Sequence, residues 1–150
     1  MASKTTFHFA CEALLEQRIA ASRTAMAAAQ ESSNSETKSS AGDKYETGRA
    51  MAQQERDRHA AQLHEAQLLL TALQKINPEL PSDTVRLGAL AATSLGLFYL
   101  SIGAGKLTTA EGQEFLAVSP AAPLAVALSG KRAGEEIVFN GKPVRVPAVS

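Results

Sequence analysis

The sequence predicts an α+β chain: an N-terminal antiparallel coiled-coil helical hairpin followed by a small β-rich domain with one short helix. Three observations carry that expectation. Apolar residues recur at seven-residue, helical spacing through the first half of the chain. Two prolines, Pro78 and Pro81, then stop the helical pattern. Beyond them, short runs of leucine, β-branched and aromatic residues are split by glycine and serine, which is strand patterning.

Residues 4–31 contain neither glycine nor proline, and Leu15, Ile19, Ser22, Met26 and Ala29 recur at steps of four and three. That stripe is the seam of a two-helix coiled coil. Residues 31–42 are rich in serine, with Asn34 and Gly42 as turn formers, and read as a helix–helix connection. Residues 43–76 resume the helix; Ala52, His59, Leu63, Ala66, Leu70 and Leu73 follow the rhythm, and Arg56 interrupts it. Apolar character thickens toward Ile76, so the seam is weakest near the turn. A helix over 43–76 extends about 50 Å. The expected domains are therefore a hairpin over 1–76, a joint over 77–83 and a β-rich domain over 84–150.

Within 84–150, TVRLGALAAT, LGLFYLSIG and EFLAVS read as strands, and PLAVALSGK as a short helix with Pro123 in its first turn and Gly130 just past its end. EEIVF and PVRVPAV, joined at Asn140-Gly141-Lys142, read as a hairpin with an Asn-Gly turn.

Lys plus Arg equals Asp plus Glu, giving a formal net charge of zero. Strong independent DNA binding is therefore not expected. The single cysteine, Cys11, allows no intrachain disulfide and suits a cytoplasmic setting. The N-terminus lacks the apolar run of a signal peptide, and residues 87–102 are too short and interrupted to span a membrane. Much of the apolar content is alanine, which favours helix but buries little area.

The chemistry-bearing stretch is SSAGDKYETGR, residues 39–49. Asp43 and Glu46 are three apart, so on a helix they share a side. Paired carboxylates suit Mg²⁺, which prefers oxygen ligands, but two from one chain are too few for tight binding alone. The same spacing at a helix start is also a capping pattern that only stabilises the helix. Tyr45 lies between the acids. Arg49, Arg56 and Arg58, with Lys38 and Lys44, place positive charge nearby, which serves either phosphate contact or a solvated face balanced by Glu55 and Asp57.

The order hairpin, proline-marked joint, small β domain resembles the bacterial Gre transcript-cleavage factors over nearly the whole chain. Gly42-Asp43-Lys44-Tyr45-Glu46-Thr47 is similar to their Gly-Asp-x-x-Glu-Asn tip signature, and AAPLAVALSGKRAGEE matches a second motif at Pro123, Leu124, Leu128, Gly130, Lys131, Gly134 and Glu135. The resemblance implies an FKBP-like fold for the second domain and a cytoplasmic, monomeric transcription elongation factor that binds RNA polymerase. It implies a hairpin tip inserted into the secondary channel, where Asp43 and Glu46 help hold a second Mg²⁺ shared with the polymerase. Cleavage of backtracked RNA then belongs to the polymerase, and this chain is no enzyme by itself and binds no cofactor tightly. Tyr45, Lys44 and Arg49 would meet the nascent RNA 3′ end or the channel wall, Pro123, Gly130 and Lys131 would dock at the rim, and any DNA contact would be weak and confined to the complex. Lys44 and Arg49 offset the tip acids, and Thr47 replaces the usual asparagine. Those departures favour a second reading, a non-catalytic regulator that occupies the channel. A third is a coiled-coil adaptor for some other partner.

Other constellations fail. HEAQL lacks the second histidine of a zinc-protease helix, since Leu68 stands there, and His59 and His64 do not share a face. For SIGAGKLT, residues 101–108, a phosphate loop would need its first glycine at the preceding Leu100 and serine or threonine at Leu107, so its glycines read as a turn. Cys11 reads as a small buried hydrophobe.

Overall fold

Two 33-residue helices open the chain, α1 (Lys4–Glu36) and α2 (Gly42–Gln74), in a computed structural model that describes residues 3–36 and 42–150. The side chains of residues 33–36 and 42–45 lie outside that description. After α2 come β1 (Leu90–Thr93), β2 (Gly96–Leu100), β3 (Gly105–Thr108), β4 (Glu114–Val118), α3 (Pro123–Leu128), β5 (Glu136–Phe139), β6 (Lys142–Arg145) and β7 (Ala148–Val149). The α+β architecture expected from the sequence is the one observed. No helix among the described residues is long and apolar enough to cross a membrane.

By contact the chain divides into one unit of Met1–Ala13 with Thr71–Ser150 and a second of Leu14–Leu70. These boundaries do not follow the helices: both α1 and α2 begin or end in one unit and continue in the other.

In the unit of residues 14–70, α1 and α2 pack side by side and run antiparallel. Arg18 and Ser22 share one groove with Gln62 and Ala66, whereas Met26 and Gln30 share another with Arg56. Position numbers thus rise on one helix as they fall on the other. The expected seam is the buried stripe. Leu15, Ile19, Ser22 and Ala29 are buried on α1 with Met26 half-buried; Ala52 and Ala66 are buried on α2, with Arg56, His59, Leu63 and Leu70 half-buried. α1 runs past the expected end at residue 31 through Ser32 to Glu36. Serine in a helix costs only a fraction of a kcal/mol relative to alanine, roughly 0.5, so a serine-rich run alone does not stop one.

In the other unit, the strands form a five-stranded sheet of order β3-β4-β2-β1-β7, antiparallel except for the β2–β4 pair, and a separate β5–β6 hairpin. Strand alternation gives the sheet two apolar faces. Phe98 and Leu100 pack with Ala125 and Leu128 of α3 and with Ile137 and Val144 of the hairpin. On the other face, Phe7 of α1 meets Phe115 edge to face with ring centroids 5.0 Å apart. The first three turns of α1 therefore cover one face, and α3 with the hairpin covers the other.

The β5–β6 turn is as expected: Asn140 and Gly141 both have positive φ, 52° and 76°, which the tight two-residue turn requires. Three expectations need correction. The run 84–93 is strand only from Leu90. Before it, Val85 exchanges backbone hydrogen bonds with Gly130 and Lys131 (2.8 Å each), and Gly88 turns the chain with φ 89°. PVRVPAV is two strands, because Pro147 has no N–H to continue a ladder; β7 pairs with β1 instead. GKLT, read as part of a turn, is the edge strand β3 on β4, with Gly105 (φ 80°) at its start.

Candidate functional site

The tip acids begin with the start of α2. Residues 37–41 lie outside the described residues, and the helix starts at Gly42, so Asp43 falls in its first turn and Glu46 at the start of its second. Negative charge there is favoured by the helix dipole, which is the capping role. Because the helices are antiparallel, this turn lies about 40 Å along the axis from Leu70, at 1.5 Å per residue. Glu46, Thr47 and Arg49 are exposed, and Gly48 turns partly toward the seam. The side chains of Asp43, Lys44 and Tyr45 are outside the described residues, as is Lys38.

The charges further along α2 are mostly balanced locally. Arg58 pairs with Glu55 and Arg56 with Asp57, each at 3.2 Å. Glu55, Asp57 and Arg58 are exposed, whereas Arg56 is half-buried. Nδ1 of His59 lies 3.1 Å from Oε1 of Gln62, and His64 is exposed. Among the described residues no three His, Cys, Asp or Glu side chains converge on a point where a metal ion could sit.

The second motif is placed by α3. Pro123 is exposed at the first helical position, following Ala122 in extended conformation. Gly130 adopts φ 78°, and its N–H donates to the carbonyl of Val85 at 2.8 Å. Lys131 follows, half-exposed and 3.9 Å from Glu135. Pro123, Gly130 and Lys131 thus belong to one α3-and-turn segment, tied to the chain at Val85.

Sequence reasoning missed a buried polar set beneath the first turns of α1. Lys4, His8 and Cys11 continue the Leu15–Ile19 stripe toward the N-terminus, but two are polar and escape a search for apolar periodicity. The ammonium of Lys4 donates to the carbonyls of Leu80 and of Gly88, the latter at 3.0 Å. Burial, with Arg86 nearby, lowers its pKa. His8 faces Tyr99 through Nδ1 at 2.8 Å and Glu12 through Nε2 at 3.2 Å. A carboxylate only accepts, so Nε2 carries the proton and Nδ1 accepts from the tyrosine hydroxyl. Cys11 is fully buried beside Ser101, and burial pushes its thiol up to about 11. A thiol so held is protonated at neutral pH and inert as a nucleophile. The helical spacing 4, 8, 11, 15 was the signal available.

SIGAGKLT leads into a strand rather than a helix, so its backbone offers no phosphate cradle at a helix start. Compared with known proteins, the chain matches no protein-family model and no curated protein sequence.

Proposed function

We propose that the chain is a Gre-like transcription factor that binds bacterial RNA polymerase and presents the start of α2 to the polymerase active centre through the secondary channel. The supporting observation is the placement of Asp43 and Glu46 in one helical turn at the end of an antiparallel helix pair, about 40 Å from Leu70, with Glu46 exposed. The α+β architecture agrees with the order of elements that carries the resemblance, and Pro123 and Gly130 are exposed and Lys131 half-exposed on the β-rich region.

The donor set fits magnesium in kind but not in number: carboxylate oxygens are its preferred ligands, and this turn has two. Asp43 and Glu46 would therefore share the ion with carboxylates of the polymerase, as a partner-completed site. When bound, magnesium supplies charge stabilisation at the phosphate under attack. The chain's own residues add negative charge, orient a water by hydrogen bonding and occupy the channel. Lys44 and Arg49 are positioned in sequence to meet RNA phosphate. The hydrolysis itself remains the polymerase's.

The deciding experiment has two steps. The chain is first tested for co-purification with RNA polymerase, and then for RNA release from a backtracked complex, with Asp43→Ala/Glu46→Ala as control. Binding with cleavage that the double variant loses supports the reading. Binding without cleavage favours the channel-occupying regulator, toward which the offsetting Lys44 and Arg49 already point. Absence of binding sinks both and leaves the acids as helix caps.

A further inference from the structure

We propose that Arg56 divides the helix pair of residues 14–70 into two cooperative segments, and that the segment beyond it, residues 24–36 with 46–56, opens independently while the segment beneath stays closed. Arg56 occupies a seam position, between Ala52 and His59 in the four-three rhythm. Its guanidinium finds weak partners. One terminal nitrogen lies 3.4 Å from Oε1 of Gln30 on α1, and the other 3.2 Å from the adjacent Asp57. Its Nε is withdrawn from solvent without an acceptor. A buried donor left unpaired is destabilising where it sits.

The packing changes at the same level. Beneath Arg56 the seam is built from Leu15 and Ile19 on α1 and from Leu63, Ala66 and Leu70 on α2. Beyond it, among the residues whose side chains are described, Ala29 and Ala52 are buried and Ala25, Met26 and Gly48 half-buried, and apart from Met26 these remove little apolar area from water. Between the two lies an open groove of about 310 Å³ that Arg23 and Arg56, two cations, both line. Cooperative opening units end where such coupling is weakest. The stretch of α2 from Glu46 to Arg56 thus belongs to the less stable part of the pair, free to open without melting the leucine-rich seam.

Hydrogen exchange followed by mass spectrometry on the full chain tests this. In the wild type, amides in 24–36 and 46–56 are expected to exchange at least about tenfold faster than those in 15–22 and 63–70. Arg56→Leu fills the seam and removes the unpaired donor. It is expected to slow exchange in the distal segment by about tenfold and to leave 15–22, 63–70 and 84–150 unchanged. Arg56→Met, which keeps more of the arginine's length, should act in the same direction and serves if the leucine variant folds poorly. Equal protection through both segments of the wild type overturns the proposal. So does distal exchange that is unchanged or faster in both variants.

Discussion

The Nδ1 atom of His8 lies 2.8 Å from the hydroxyl oxygen of Tyr99, both buried and 91 residues apart in the chain. One hydrogen bond thus ties the first turns of α1 to the centre of the sheet. Tyr99→Phe keeps the ring and removes the hydroxyl, leaving the imidazole nitrogen without a donor. The expected loss is about 1–2 kcal/mol of unfolding free energy, read as a lower urea midpoint with an unchanged denaturant slope. An unchanged midpoint would show that the bond contributes nothing net.

The same pair makes stability depend on acid. Burial lowers the pKa of His8 from its ordinary 6.5, although Glu12 pulls the other way. Below 6.5 the unfolded chain takes up a proton that the folded chain resists. Stability from this group is therefore whole above 6.5 and declines as pH falls toward and through the lower folded value. The groups facing His8 are Glu12 on its own helix and Tyr99 on β2, with Cys11 one turn on. Denaturation midpoints between pH 7 and 5 should fall in the wild type and fall less in His8→Gln. Parallel profiles in the two proteins would exclude His8 as the source.

At the alkaline end Cys11 is the group to follow. Burial raises its thiol from 9.0 to about 11, with Ser101 opposing. Between those values the unfolded chain has lost its proton and the folded chain retains it, so stability falls as pH rises above 9. Cys11→Ala should flatten part of that decline; Tyr99, whose pKa burial also raises, accounts for a remainder. At neutral pH the native thiol should resist a disulfide reagent and react only at the rate of unfolding. Rapid labelling of the folded protein would contradict the buried placement.

The helical seam was legible because it is a repeat. Leu15, Ile19, Ser22, Met26 and Ala29 declare their face by spacing, and the structure buries or half-buries all five. The Asn140-Gly141 turn was legible because left-handed backbone is open to few residue types. β3 was not, since a four-residue edge strand with exposed Lys106 and Thr108 has neither the length nor the alternation to announce itself. The buried Lys4 and His8 were hidden for a related reason. Their polar atoms are satisfied by Leu80, Gly88, Tyr99 and Glu12, partners distant in sequence or polar themselves. The acids of the tip were visible as residue types at a spacing; whether they cap a helix or serve a partner's metal depends on a second molecule.

Phe7 and Phe9 give a matched pair for the packing of α1 on the sheet. They are two residues apart on one helix, so they project to different sides. Phe7 is 2% exposed and stacks edge to face on Phe115, while Phe9 is 63% exposed. Removing the Phe7 ring deletes a buried side chain and leaves a cavity beside Phe115. Phe7→Ala should cost about 3–5 kcal/mol. Phe9→Ala removes little buried area and should change stability by no more than about 0.5 kcal/mol. Phe7→Leu, which keeps much of the volume, should recover most of the loss. Chemical denaturation of the three variants checks the ranking, and the ranking rather than any one value is the stringent part. Equal losses at positions 7 and 9 would mean that the first turns of α1 do not pack on the β4 face through Phe7.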